Sequence, residues 1–378
     1  MRSLLSILFV LLTANGLCQT ITDQKFIDLS NDSSSVSIPF YGGLNGYYAY
    51  RIPTIIKTKT TLVVFAEGRK NSTSDFGDID LVYRRSLDKG RTWEPLQVLH
   101  DLDTLAVQNP VPIYVAKENK IVLLFNTTSL SEHDILNKEY GLKNERKAFL
   151  TSSSDDGKTW DIPKDITRQV KRKTWRWHAL GPVHGIQLQY GRFAGRLVAP
   201  VAISIEKGNT AYCMALVYSD DQGTNWKIGA VDENISDAVR ANETTISELN
   251  DGRIYVNTRD HKGGSAEKNR GETLSIDGGL TFEKPIVESD KFPSPIVQSA
   301  LLSYNDRVFF STPSSYDKRE NLIIMVSHDH TETWLPFYKV HNGFSAYSDM
   351  VQLDENTLGV IYETDEYKKI RFRSIVLE

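Results

Sequence analysis

Ser86-Leu-Asp88-Lys-Gly90-Arg-Thr92-Trp93 decides the fold, because the pattern Ser-x-Asp-x-Gly-x-Thr-Trp returns along the whole chain. It is complete again at residues 153–160. It recurs with one change each at 219–226 (Asn225 for Thr), 275–282 (Phe282 for Trp) and 327–334 (Thr331 for Gly). The starts lie 67, 66, 56 and 52 residues apart, and a repeat of that spacing marks one supersecondary unit per copy. The chemistry is that of a hairpin turn. Asp accepts from backbone N–H groups just ahead of it, Gly supplies the positive φ of a tight turn, and the indole can wedge against a neighbouring unit.

Between the copies lie branched and aromatic runs at 61–65, 120–125, 196–200 and 253–257, bounded by Gly, Asn and Asp, which read as strands. Roughly 60 residues per unit is room for a four-stranded antiparallel blade. The spacing predicts an all-β, six-bladed β-propeller. Five blades carry the pattern (the Asp box), and a sixth is built from 350–353, 358–362 and 370–376 and closed by an N-terminal strand near 26–29.

A chain of 378 residues could hold two or three domains, but a propeller is one large domain, here 20–378. With 40% hydrophobic and 24% charged residues it has the composition of a soluble protein with a sizeable core. A net charge of −4 predicts no general attraction to nucleic acid or anionic membrane. The basic, aromatic cluster at 171–177 reads as a solvated loop or as a rim for a polar ligand. Arg2 followed by an apolar run over 4–12 reads as a signal peptide, 1–19, removed on export; the run is too short for stable membrane insertion. Cys213 and Cys18 are the only cysteines, so no disulfide framework is expected. Sequons begin at Asn31, Asn71, Asn126, Asn234 and Asn242.

The histidines and two cysteines form no credible metal site, and no phosphate-binding loop or Gly-x-Ser-x-Gly elbow is present; no metal or cofactor is expected. What remains is arginine, carboxylate and tyrosine in strand-like surroundings. Arg51 stands in Tyr50-Arg51-Ile-Pro53, Arg69 ends Glu67-Gly-Arg69, Arg259 ends the run 254–259, and Arg319 precedes the run 322–326. A guanidinium fork binds a carboxylate bidentately, and several converging on one point would make a strong anion site.

Tyr-Arg-Ile-Pro at 50–53, the Asp boxes, the Glu-Gly-Arg segment and Tyr347-Ser-Asp349 together resemble the exo-sialidases (neuraminidases) of the bacterial and animal Asp-box family, over roughly 45–375. The resemblance implies that Arg51, Arg259 and Arg319 grip a substrate carboxylate with Arg69 alongside, that Tyr347 is the nucleophile and Glu243 its partner, and that Asp75 is the acid/base. Asp78 and Asp80 lie close enough to compete with Asp75. The segment 181–187 resembles a family Gly-Pro-Gly loop with Val183 in place of the second Gly. The implied reaction is hydrolysis of terminal α-linked sialic acids from glycoconjugates by an exported enzyme, with retention through a tyrosyl-glycoside. A neutral phenol suits a substrate whose anomeric carbon carries a carboxylate, where an attacking Asp or Glu would be repelled. Two alternatives stay open, a related 2-keto-3-deoxy sugar acid as substrate or a non-catalytic sialic-acid-binding propeller lectin, and so does transfer in place of hydrolysis, because both share the tyrosyl intermediate. Trp175 and Trp177 are candidate walls for the substituent on C5.

Overall fold

The computed structural model describes residues 26–138, 146–205, 212–233, 239–263 and 268–377; the predicted signal peptide and Cys18 lie outside them. Strand is the dominant element of the described residues and nearly all of its pairing is antiparallel, in a propeller-like arrangement of five sheets. Four sheets have four or five strands each. The fifth has eight, and consists of two four-strand sets, 49–100 and 106–165, joined by one parallel bridge between Ile79 and Ala106. The inner strands Ala49–Lys57, Ala106–Val115, Ile186–Gln187, Ala241–Glu248, Ala300–Tyr304 and Ser345–Asp354 touch in that order, and the last returns to the first. The ring of strand sets is therefore closed.

The repeated pattern folds as its chemistry requires. In the first copy Thr92 N donates to Asp88 Oδ1 (2.9 Å), Thr92 Oγ1 to Asp88 Oδ2 (2.6 Å) and Gly90 N to Ser86 Oγ (2.8 Å). All five copies keep this arrangement, and Asn225 Nδ2 replaces the threonine hydroxyl at 2.8 Å from Asp221 Oδ2. Gly90, Gly157, Gly223 and Gly279 have φ between 78° and 85°. Thr331 takes φ 73° in the last copy, where a β-branched residue is strained. The aromatics wedge between sets: Trp160 meets Phe65 and Tyr83 of the preceding set edge-on at 5.7 and 5.8 Å.

The ring closes differently from expectation. The last sheet does use Ser345–Asp354, Thr357–Thr364 and Lys369–Val376, but its fourth strand is Val36–Tyr41. The segment near 26–29 contributes Ile27–Asp28, which runs parallel to Leu335–Lys339 in the preceding sheet. Burial explains the exchange: Phe40 is buried against Phe372, whereas Ile27 is only half-buried. The cluster 171–177 is a solvated loop only in part, since Arg172, Lys173 and Thr174 are exposed and the other four residues are not. Lys171, Trp175, Arg176 and Trp177 are buried, and Arg176 Nε donates to the carbonyls of Ile135 and Leu136, both at 3.1 Å. Among the described residues no helix is long and apolar enough to cross a membrane.

Candidate active site

Four inner strands slip register just where a polar side chain is needed. The slips fall between Arg51 and Thr54, Gln108 and Val111, Ala241 and Thr244, and Ser345 and Ser348. A bulge bends a strand and re-aims its side chains. These four turn Arg51, Asn109, Glu243 and Tyr347 into one cleft of about 560 Å³. Pro53 and Pro110 stand inside two of the slips, where a missing N–H removes no ladder bond. Ile52 pays for the geometry with φ 57°.

All seven residues singled out in the sequence line this cleft. A larger cavity of about 640 Å³ opens around His184, Gln189 and Glu248 without any of them. The Tyr347 hydroxyl donates to Glu243 Oε1. Arg259 Nη1 lies 2.7 Å from Glu243 Oε2 and 3.3 Å from the same hydroxyl. Burial, and then the Glu243 carboxylate, push the Tyr347 phenol well above its ordinary range, while Arg259, Arg319 and Arg51 pull it back. The phenol is therefore held neutral, with its proton already directed at a base.

Asp75 is the exposed member, its side chain 79% accessible. Its Oδ1 lies 2.7 Å from Arg69 Nη1 and 3.9 Å from Arg51 Nη1. Crowding by the cleft walls works against ionisation, but Arg69 and Arg51 outweigh it and hold the carboxyl below its usual range. Its backbone is pinned as well, since Gln108 Nε2 donates to Asp75 O at 2.8 Å. The competing carboxylates are engaged elsewhere. Asp78 and Asp80 bind Lys70 Nζ at 3.0 and 3.2 Å, and Asp80 also accepts from the Tyr47 hydroxyl.

Two supporting residues were missed in the sequence. Glu363 is fully buried, and its carboxylate accepts from Arg51 Nε (2.7 Å), Ile52 N (2.9 Å) and Tyr347 N (3.2 Å). It thus ties the first arginine and the tyrosine to one anchor. Burial would discharge Arg51, and the Glu363 carboxylate more than offsets this and raises it above the ordinary arginine value. Tyr367 places its ring 3.9 Å beneath the Arg51 guanidinium and takes a bond from Arg319 Nη1 at 3.0 Å. The signal for Glu363 was present: an acid inside the apolar run 358–364 must be paired to be buried. Tyr367 carried none, because it stands in a hairpin turn at φ 68°. Of the two candidate C5 walls, Trp177 lines the cleft and Trp175 lies in the core. Val183 takes φ 148°, a conformation that glycine adopts without strain.

The model of the BNR repeat-like domain matches residues 60–360. The chain belongs to this family. An exo-α-sialidase of Aspergillus fumigatus is 28% identical over 88% of this chain and 83% of its own length. A sialidase of Micromonospora viridifaciens is 29% identical over 85% of this chain, which spans half of that longer protein. Among solved structures, the Hadza microbial sialidase Hz136 superposes with a TM-score of 0.75 at 25% identity, over 90% of this chain and 68% of its own. These relatives indicate a glycoside hydrolase of the exo-α-sialidase family.

Proposed function

We propose that the chain hydrolyses terminal α-linked sialic acids with retention of configuration, through a glycosyl–Tyr347 intermediate. The observation that carries this reading is the Tyr347–Glu243 hydrogen bond beside Arg259. A neutral tyrosine is a poor nucleophile until a base takes its proton, and Glu243 is in contact to do so. Arg51, Arg259 and Arg319 hold the substrate carboxylate, and Arg69 stands by Asp75. In the first half Tyr347 O attacks the anomeric carbon, its proton passes to Glu243, and Asp75 protonates the departing glycosidic oxygen. In the second half Asp75 takes a proton from water, which attacks the same carbon, and Glu243 returns the proton to Tyr347. Because Asp75 is ionised against Arg69 and Arg51 in the free enzyme, it must gain a proton before the first half. A bound carboxylate supplies a reason, since it engages Arg51, one of the two guanidiniums that hold Asp75 ionised, and repels a second negative charge beside it.

The same reading counts the eight-stranded sheet as two blades, six in all, within a single domain 20–378 exported after loss of a signal peptide. Asn126 is a poor glycan acceptor in any compartment, since its buried side chain takes Leu180 N at 2.8 Å. The test is release of a fluorogenic aglycone from an α-sialoside by the mature chain, with Tyr347→Phe beside it. Turnover that vanishes in the variant is the expected result; a variant as fast as the parent refutes the nucleophile.

A further inference from the structure

The connection from Val287–Ser289 to Ala300–Tyr304 has no regular structure, yet its end is buried: Val297, Gln298 and Ser299 are each 2% exposed or less. Three consecutive residues there reach three parts of the site. Ile296 O accepts from Arg319 Nη2 at 3.2 Å. Val297 O accepts from the buried Arg270 Nη1 at 2.6 Å, and the Val297 side chain shares an apolar cluster with Ile52, Ala346 and Tyr347. Gln298 turns its amide on the strand that carries Tyr347. Its Oε1 accepts from Ser348 N and its Nε2 donates to Ser348 O, both at 3.0 Å, and Nε2 also donates to Ser299 O at 2.9 Å.

The amide does for Ser348 what a neighbouring strand would. It sets an acceptor and a donor side by side, which an ionised glutamate or a methionine cannot do. Its place is the bulge itself. The ladder to Thr357–Thr364 slips between Ser345 and Ser348, so Tyr347 stands in the strand without a register partner. The Tyr347 N–H goes to Glu363 at 3.2 Å, and the N–H of the following peptide goes to Gln298. With the peptides on both sides of its Cα held, the direction in which the phenol leaves the strand is fixed. The same short segment holds Arg319 through Ile296 O, and so ties a guanidinium of the cleft to the tyrosine.

We infer that Gln298 is a positioning residue for the reaction proposed above, on which this inference rests: its amide aims Tyr347 at the anomeric carbon. Gln298 is buried behind the cleft rather than in its lining. Its loss therefore acts on the covalent step and not on capture of the sugar acid, which the arginines perform.

The test uses Gln298→Met, which keeps the length and removes every bond of the amide, and Gln298→Glu, which restores a donor only when protonated. Kinetics on a fluorogenic α-sialoside are read beside calorimetric Kd values for the free sugar acid and melting curves, each across pH. The Met variant is expected to lose about 100-fold in kcat, the cost of a shift of about 1 Å in a reacting group, with Kd near that of the parent. Burial favours the neutral form of an introduced acid, whose O–H donates where the amide N–H did. The kcat of Gln298→Glu relative to the parent should be highest in acid and fall as that carboxyl ionises, while the ratio for Gln298→Met stays flat. A folded Met variant as fast as the parent overturns the inference, as does a ratio for the Glu variant that ignores pH. If the Met variant does not fold, the Glu variant decides: a fall in kcat while its melting temperature and Kd hold supports the aiming role, and a fall only in step with either overturns it. A parent that turns over no sialoside removes the hydrolytic reading, and this inference with it.

Discussion

Replacing Glu363 by Gln isolates the anchor beneath the site. The carboxylate takes three donors, Arg51 Nε at 2.7 Å, Ile52 N at 2.9 Å and Tyr347 N at 3.2 Å. An amide has one oxygen. If that oxygen faces Arg51 and Ile52, the NH₂ group confronts the Tyr347 N–H, so one bond is lost and two donors face each other, costing about 1–3 kcal/mol. The buried ion pair is lost as well; removing one partner of such a pair costs about 3–5 kcal/mol. Asp75, 3.9 Å from Arg51, compensates a little, so the low end of that range, about 3 kcal/mol, is the expected loss by urea denaturation. Catalysis should suffer further. Glu363 positions Arg51 and Tyr347 without touching substrate, and a shift of about 1 Å in a reacting group costs roughly 100-fold. Both a fall in kcat and a rise in KM are expected, with partial rescue by Glu363→Asp. A Gln variant within about 0.5 kcal/mol of wild type, the range of an ordinary surface substitution, with unchanged kinetics, would refute the anchoring role.

Two further outcomes follow from the geometry. Asp75 is held below its usual range by Arg69 and Arg51 in the free protein, and must be protonated to act as the acid. The basic limb of kcat/KM reports the free enzyme and that of kcat the complex, so the kcat limb should lie at higher pH; coincident limbs would contradict release of Asp75 by the substrate carboxylate. Gly90→Ala would set a Cβ 2.2 Å from Phe372 Cε1 at φ +85°, whereas Gly43→Ala at φ +84° meets nothing within 4 Å. The first should lose about 2–5 kcal/mol from strain and overpacking together and the second only the strain of about 1–2; equal losses in thermal melts would refute the wedge between strand sets.

The repeat made the sheets legible because its turn chemistry is local: Asp88, Gly90 and Thr92 close their hairpin with their own atoms. The closing strand was misplaced for the converse reason. Whether 26–29 or 36–41 joins Lys369–Val376 depends on which apolar side chain meets Phe372, a contact more than 300 residues away along the chain. The catalytic candidates were legible through resemblance, and their convergence on one cleft was not, since it depends on bulges that show in the sequence only as Pro53 and Pro110.

The central claim is that Tyr347 bonds covalently to the sugar. A 2,3-difluoro sugar acid tests this most directly, because fluorine at C3 disfavours the positive charge needed to break the intermediate while fluoride at C2 departs readily. After incubation and proteolysis, mass spectrometry should find the sugar on the peptide containing Tyr347, and none on Tyr347→Phe. A sugar carried by Glu243 or Asp75, or brisk turnover of the difluoro sugar by Tyr347→Phe, would contradict the account.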